Sequence, residues 1–517
     1  MNIACVYTLE SFADVKKPLS SAAEIPFGIA IIATVLQSAG HNVSMLVFSP
    51  DSPYKKTLEQ HIETYHSQLI CLTSVSTQFP FIRIIADLIK ELDPSIFVLL
   101  GGHQASLNPD SVMTIPSIDA ICVGEGEKAS VELADMLEKG RPVTSIPNLY
   151  IRRADNTIEK NEPAPFNQDL DSLPYIDRTM WEPWIVEPNR YHSVLVGRGC
   201  PYRCTYCANY AMKRLSSGRY VRYRSPENII SEIDYINTLY PTCENIYLEM
   251  ETIGADFIKA MALFGQLGEY NRRRQQPTNF GVNLAFTSAF VRNEERCREF
   301  LSTLRRCHVT YIKIGLESGS ERVRREILCR PNYSNDDLYK FARMVKEYGI
   351  NLYWFVMIGV PGESLSDYFQ TVEVCRVGKP KHVNLSIFYP YTGTYLYDLA
   401  LEQGLFVSGE LSEKAERGRA YLDLPDFSRR QIRREYILFW FRVYWGYWSI
   451  DRILAGTIRS LISAYPHIYS LAKFLSTHNK VFRSLRDRYA PRSESLMPVE
   501  FESDTHAPVE VHAREAE

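Results

Sequence analysis

The stretch that most constrains this chain is Gly197-Arg198-Gly199-Cys200-Pro201-Tyr202-Arg203-Cys204-Thr205-Tyr206-Cys207. Three cysteines stand within eight residues, separated by three and then two others, on a loop supplied with Gly, Pro and Arg. Three thiolates on so short a loop can all point inward at one iron–sulfur cube, and a four-iron cube then keeps one iron without a protein ligand. Such an iron is open to a substrate or cofactor. A structural zinc site is the alternative, and it requires a fourth Cys or His at paired spacing. The nearest candidates, His192 and Cys243, lack that spacing. The other eight cysteines are scattered along the chain, which is no disulfide framework. An oxygen-sensitive cluster then implies a reducing, cytoplasmic setting.

Ahead of this loop, short apolar runs at 3–7, 43–48, 69–73, 96–100 and 120–123 alternate with helical periodicity at 28–38, 54–65, 81–92 and 127–138. That alternation predicts a doubly wound, Rossmann-like α/β domain over residues 1–140, its parallel sheet covered on both faces. Ligands of such sheets lie beyond the carboxyl ends of the strands. Three loops at those ends carry suitable residues: Ser74, Ser76, Thr77 and Gln78; Gly101, Gly102 and His103; Gly124, Glu125 and Gly126. None is Gly-x-Gly-x-x-Gly, so a nicotinamide site is not supported. Residues 141–192 read as a linker containing a hairpin and then a Pro-rich connector.

From 193 to 400 the alternation returns, with strands expected at 193–196, 245–250, 283–286, 311–316, 352–358 and 383–388. Six βα units predict a partial parallel barrel with its chemistry at the C-terminal strand ends. Those ends read Glu249-Met250-Glu251, then Gly315-Leu316-Glu317-Ser318-Gly319, then Gly359-Val360-Pro361-Gly362-Glu363, then Pro390-Tyr391-Thr392-Gly393-Thr394. Alternation puts Glu249 and Glu251 on one side of their strand. Lys213, Arg214, Arg219, Arg222 and Arg224 follow the cysteines and read as a solvated face in preference to an anion site.

Cys-x3-Cys-x-aromatic-Cys, followed in order by Gly-x-Glu-Ser-Gly, Gly-x-Pro-Gly-Glu and Pro-x-x-Gly-Thr, resembles the radical S-adenosylmethionine (SAM) enzymes. The Gly-Gly pair and Val-Gly-Glu-Gly-Glu before it resemble the cobalamin-binding domain of the class B members of that family. The resemblance covers about residues 1 to 400. It implies a 4Fe–4S cluster on Cys200, Cys204 and Cys207. It implies SAM near Tyr206, Glu249, Glu251, Glu317, Ser318, Gly359 and Pro361, with Glu251 placed ahead of Glu249 for the amino group. It implies cobalamin against the three loops of the first domain. The Asp-x-His-x-x-Gly of many cobalamin domains is missing, since 7–14 reads Tyr-Thr-Leu-Glu-Ser-Phe-Ala-Asp. Gln78 or Phe79 would then lie under the corrin, and His103 would touch the nucleotide tail or its own loop in preference to cobalt.

The implied activity is methylation of an unactivated carbon of a small molecule, with an electron donor such as flavodoxin or ferredoxin. An oxidative cyclase or rearrangement enzyme on the same scaffold is the alternative, and a non-catalytic cobalamin sensor the third reading. A net charge of −3 gives no field for nucleic acid. No apolar run is long enough to span a membrane. Residues 401–490 read as helical, with aromatics over 428–454 that pack on the barrel in preference to a membrane, and 491–517 as a disordered tail.

Overall fold

The computed structural model describes residues 1–9, 15–407 and 416–479; the expected tail at 491–517 lies outside them. The first domain contains β1 (Asn2–Thr8), the short β2 (Leu19–Ser21), β3 (Asn42–Phe48), β4 (Leu69–Thr73), β5 (Phe97–Gly101) and β6 (Ala120–Cys122). Its helices are α1 (Phe27–Ser38), α2 (Tyr54–Tyr65), α3 (Phe79–Leu92), α4 (His103–Leu107), α5 (Pro109–Val112) and α6 (Glu127–Glu138). The sheet runs β3-β1-β4-β5-β6 in parallel and continues into an antiparallel hairpin, β7 (Leu149–Arg152) and β8 (Ile158–Lys160). The expected boundary at 140 therefore moves to about residue 160. β6 has only three residues and an open edge, and the hairpin covers it. The connector also forms β9 (Ile185–Glu187), which pairs with β2.

The second domain is a six-stranded parallel sheet, β10 (Tyr191–Leu195), β13 (Asn245–Ile253), β14 (Asn279–Leu284), β15 (Val309–Glu317), β16 (Asn351–Ile358) and β17 (His382–Ile387), in that order. The two intervening strands, β11 (Gly197–Arg198) and β12 (Arg222–Tyr223), form a separate ribbon beside the cysteine loop. β14 begins four residues before the expected 283. Its first residues include Gly281, whose missing side chain leaves room for the Tyr311 ring of β15. The remaining helices are α7 (Ala208–Met212), α8 (Pro226–Leu239), α9 (Phe257–Arg272), α10 (Ser288–Arg292), α11 (Glu294–Arg306), α12 (Asn335–Glu347), α13 (Leu365–Gly378), α14 (Tyr395–Glu402), α15 (Arg429–Tyr444), α16 (Ile450–Ala464) and α17 (Pro466–His478).

α15 starts at a capping box between Ser428 and Gln431 and packs its aromatic face on the barrel, as expected. Tyr444 Oη accepts from the Val383 amide at 2.8 Å, and Ile432 lies against Gly359. No helix of the described residues is long and apolar enough to cross a membrane.

Candidate active site

The cysteine loop is held from three directions. Thr205 donates to the Ile327 carbonyl at 2.6 Å, its amide to Leu328 at 3.2 Å, and the Leu396 amide to its carbonyl at 3.1 Å. Gly199 has φ +87° with the Tyr220 carbonyl against its Cα, so no side chain fits there. Cys204 is buried, and Cys200 and Cys207 are half-buried. Burial is the main force raising each thiol's pKa, and pushes Cys200 to about 12. Among the described residues no three His, Cys, Asp or Glu side chains converge as a single metal ion requires. The three thiols nevertheless lie close enough to act on one another electrostatically, and a cube that attaches each thiolate to a different iron spaces them more widely than one ion does, so the donor set fits a cluster. The zinc alternative fails on geometry as well. His192 is fully buried against Tyr240, ring centroids 4.5 Å apart, and Cys243 is buried beside Asn245.

Around Cys204 the structure adds a residue that sequence reading missed. Arg330 reaches back so that Nη1 lies 3.9 Å from Cys204 Sγ and 3.2 Å from Tyr206 Oη, while Nη2 donates to the Gly315 carbonyl. A Cβ at Gly315 would stand 2.5 Å from Glu317 Oε1 and 2.8 Å from Arg330 Nη2. Tyr206 bonds Glu317, whose carboxyl is raised by burial and drawn back by Arg330. Glu317 itself has φ +61°. Arg330 Nε is buried with no partner, an orphan donor beside the cysteines.

The other expected strand-end residues divide into two groups. Glu251 is exposed, accepts from Asn209 Nδ2 at 3.1 Å, and its charge acts on Cys200, Cys207 and Glu249. Glu249 is enclosed; burial and then Glu251 push it up to about 7. These two stand together near the cysteines. Ser318, by contrast, is turned to α13, where its hydroxyl meets Thr371 Oγ1 at 3.3 Å and accepts from the Ser320 amide. With that hydroxyl engaged, only the backbone of Ser318 is left for a ligand. Gly359 and Pro361 form a turn closed by Glu363, which accepts from the Gly359 and Val360 amides. Arg222 and Arg224 are not a solvated face: Arg222 pairs with Glu125 at 2.8 Å and Arg224 with Glu232 at 2.5 Å.

In the first domain the three loops meet at the strand ends, but several of their side chains are already engaged. Gln78 is buried, accepting from the Val75 amide at 3.0 Å and donating to the Thr8 carbonyl at 2.8 Å. It therefore ties the end of β1 to the loop after β4 with both ends of its amide engaged. Glu125 is not a ligand group by its side chain: it pairs with Arg198 at 2.9 Å and Arg222 at 2.8 Å and accepts from the Asn167 amide. Glu127 joins the same clamp at 2.5 Å from Arg198. Gly102 has φ +90°, and a Cβ there would lie 2.6 Å from the Ser74 carbonyl oxygen. Ser74 bonds Val75, and Gly124 donates to Ser106. Thr8 Oγ1 and Thr77 Oγ1 are buried at neighbouring strand ends without partners. Two orphan hydroxyls and glycine backbone fit the polar edge or tail of a large planar cofactor. His103 opens α4, and burial lowers its pKa while Glu251 of the second domain draws it back up. The strand ends of the two domains thus face each other, with Leu107 of α4 also against Gly393.

Residues 194–375 match the radical SAM superfamily and residues 22–134 the B12 binding domain. The chain thus joins a B12-binding domain to a radical SAM domain. Its cofactors are a 4Fe–4S cluster, SAM and cobalamin. It is similar to an uncharacterized methyltransferase of Pyrococcus horikoshii, 23% identical over 432 residues, covering 81% of this chain and 88% of that one. It is also similar to the anaerobic magnesium-protoporphyrin IX monomethyl ester cyclase of Rubrivivax gelatinosus, 22% identical over 385 residues, covering 72% of this chain and 65% of that one. Among solved structures, OxsB with aqua-cobalamin and SAM bound aligns with TM-score 0.65 at 16% identity, over 94% of this chain and 74% of that one. The methyltransferase TsrM of Kitasatospora setae aligns with TM-score 0.62 at 17% identity, over 78% and 75%.

This radical SAM enzyme keeps a polar layer inside its barrel that sequence reading also passed over. Tyr191, Tyr247, Tyr311 and Tyr353 pack together within the barrel, with the Tyr191 and Tyr311 hydroxyls bonded to each other. Two residues beyond Tyr247 and Tyr311 stand Glu249 and Lys313, with Asn283 of β14 paired in register with Lys313. Lys313 Nζ lies 4.6 Å from the Tyr247 ring centroid, and burial draws it down to about 8 against the pull of Glu249. Asn283 Oδ1 is buried without a partner. The signal was in the sequence: Tyr311, Lys313, Gly315 and Glu317 alternate with Ile312, Ile314 and Leu316. A lysine inside an otherwise apolar strand marks the inner face.

Proposed function

We propose that this enzyme methylates an unactivated carbon of a small-molecule substrate of natural-product, lipid or tetrapyrrole-like class. The observation that carries the reading is the apposition of the two sets of strand ends, where Glu125 of the first domain pairs with Arg198 at 2.9 Å and Leu107 lies against Gly393. A group held on the first set is thereby presented to whatever is held beside the cysteines. When bound, the cluster with SAM supplies a hydrogen-abstracting radical and cobalamin supplies a methyl group.

The chain's own residues would divide the work as follows. Cys200, Cys204 and Cys207 would ligate the cluster. Arg330, a buried guanidinium beside Cys204, suits the carboxylate of SAM, and Glu251 with Glu249 its ammonium. Tyr206 and Glu317 orient Arg330, while the backbone at Ser318, Gly359 and Pro361 would line the nucleoside. In the first domain the backbone at Ser74, Ser76, Gly101, Gly102, Gly124 and Gly126, with the hydroxyls of Thr77 and Thr8, would meet cobalamin. Glu125 aligns the two domains through Arg198, and Gln78 holds the floor of the site. A flavodoxin- or ferredoxin-like donor would supply electrons.

Anaerobic reconstitution, followed by incubation with methyl-labelled SAM and a cell extract, tests this reading. A product carrying one labelled methyl supports it, and a product that has only lost hydrogens overturns it in favour of oxidative cyclisation. The cyclase of Rubrivivax gelatinosus among the relatives is what favours that second reading. Absence of 5′-deoxyadenosine release would point to a non-catalytic sensor.

A further inference from the structure

The C-terminal helices expose a surface that the site does not use. α15 buries Tyr436, Phe439, Trp440 and Tyr444, and α16 covers it with Ile453, Gly456, Ser460 and Ala464. Gly456 permits the approach, since a Cβ there would stand 2.6 Å from the Trp440 ring, and Trp440 Nε1 donates to Ser460 Oγ at 2.8 Å. That settles one face of α16. A second stripe, Ile450, Leu454 and Ile458, recurs every four residues and is 58, 44 and 54% exposed. Trp445 in the turn between α15 and α16 and Leu471 and Phe474 of α17 are exposed too. Six of the 17 large apolar side chains exposed among the described residues thus fall within 445–474. Scattered exposed apolar residues need no explanation, but a concentration of them marks an interaction surface.

Charge selects the occupant. Residues 429–478 hold eight Lys and Arg against two Asp and Glu, in a chain whose net charge is −3, so the remainder is net acidic. One of those two acids, Glu435, is fully buried beside Arg434 and Arg442. Arg430, Arg434 and Arg452 are exposed. A second copy packed on this face would set basic surface against basic surface. An anionic bilayer instead accepts apolar side chains at the acyl boundary and cations at the phosphates. Since no described helix is long and apolar enough to cross, the contact is peripheral.

We propose that the α16–α17 surface seats this enzyme on an anionic membrane surface. The proposal is independent of which reaction the barrel performs. Its test is flotation of the full-length reconstituted chain with vesicles of phosphatidylcholine alone, or of phosphatidylcholine and phosphatidylglycerol in equal parts. Flotation is expected with the anionic vesicles only, and weakens as salt rises from ~0.1 M to ~1 M. The variant I450E/L454E/I458E should lower partitioning about tenfold or more, and R430E/R452E should lower it by less. Unchanged iron–sulfur absorbance in both variants reports an intact core. Absence of flotation, equal flotation with both vesicles, or flotation unmoved by either variant would overturn the proposal. A concentration-dependent dimer that I450E/L454E/I458E disrupts, without vesicle binding, would assign the face to a second copy. Flotation seen only after removal of residues 480–517 would assign it to that segment.

Discussion

β1 and β13 are both central parallel strands, yet alternation serves them differently. β1 sends Ile3 and Cys5 to one apolar cluster and Ala4 and Val6 to the other, on opposite faces of the first sheet. β13 sends Ile246, Leu248 and Met250 to the helices, while Tyr247, Glu249 and Glu251 turn inward. A sheet dry on both faces offers a ligand only the space beyond its strand ends, so its chemistry is confined to loops. A curved sheet has an inner face where charged groups persist. They persist at a cost, visible in the upward shift of Glu249 and the downward shift of Lys313.

The sharpest way to separate the two regions is Cys204→Ala. Iron–sulfur absorbance and 5′-deoxyadenosine formation should be lost altogether, while cobalamin binding by the first domain survives. Retained SAM cleavage in that variant would remove the cluster assignment. The counterpart in the first domain is Gly102→Ala. A Cβ 2.6 Å from the Ser74 oxygen at φ +90° cannot be accommodated without moving the loop. The expected loss is about 2–4 kcal/mol, seen by denaturant unfolding, together with weaker cobalamin uptake and an unchanged cluster.

Those two positions were readable from the chain because each is fixed by local chemistry, a spacing of thiols or a Gly-Gly pair after a strand. What lay beyond reach depends on contacts made far away in sequence. Arg330 meets Cys204 only because the π-helical turn Val323–Ile327 returns the chain toward the cysteine loop. Glu125 was read as a ligand from its motif, but its carboxylate is engaged by Arg198 and Arg222, more than 70 residues away. The partner of Gln78 at Thr8 is likewise supplied by another strand. The edge hairpin, taken for linker, joins the first sheet because a three-residue β6 leaves an unpaired edge, which no periodicity within 149–160 announces.

The turn after β16 provides a titration of the second region alone. Burial pushes Glu363 up to about 8 from an ordinary 4.5, against the pull of the two amides it accepts from. Between pH 4.5 and 8 the folded chain therefore holds a proton that the unfolded chain has released. Stability contributed by this group is full below 4.5 and falls as pH rises, by up to about 1.4 kcal/mol per pH unit. Glu363→Gln should flatten that fall in thermal unfolding measured across the same window, while leaving the first domain's transition where it was. An unaltered slope would remove Glu363 as its source.

The clamp between the regions is weaker, because Glu125 and Arg198 are 19 and 18% exposed. Glu125→Gln leaves Arg198 paired with Glu127 and should cost about 1–2 kcal/mol. Both cofactors should still bind, but the yield of 5′-deoxyadenosine per methylated product should rise as the two sets of strand ends lose alignment. Equal coupling in variant and parent would reduce the clamp to a structural contact.

The smallest effect on stability is expected from Lys313→Met, and it addresses why the inner face differs from the faces of the first sheet. Methionine has a similar volume and is not charged, so the tyrosine layer keeps its packing, and above pH 10.5, where the lysine is uncharged too, stability changes by no more than about 1 kcal/mol. Lys313 stands at about 8 against an ordinary 10.5, so its burial penalty is full below pH 8 and fades as pH rises toward 10.5. The parent should therefore gain stability across that alkaline window, and the variant should not. Lys313 also draws Glu249 down toward its value of about 7. In the variant Glu249 should hold its proton to higher pH, read directly from the carboxylate band in infrared difference spectra. If Glu249 titrates unchanged, the two groups are not coupled, and the polar layer is two separate buried residues with no shared function.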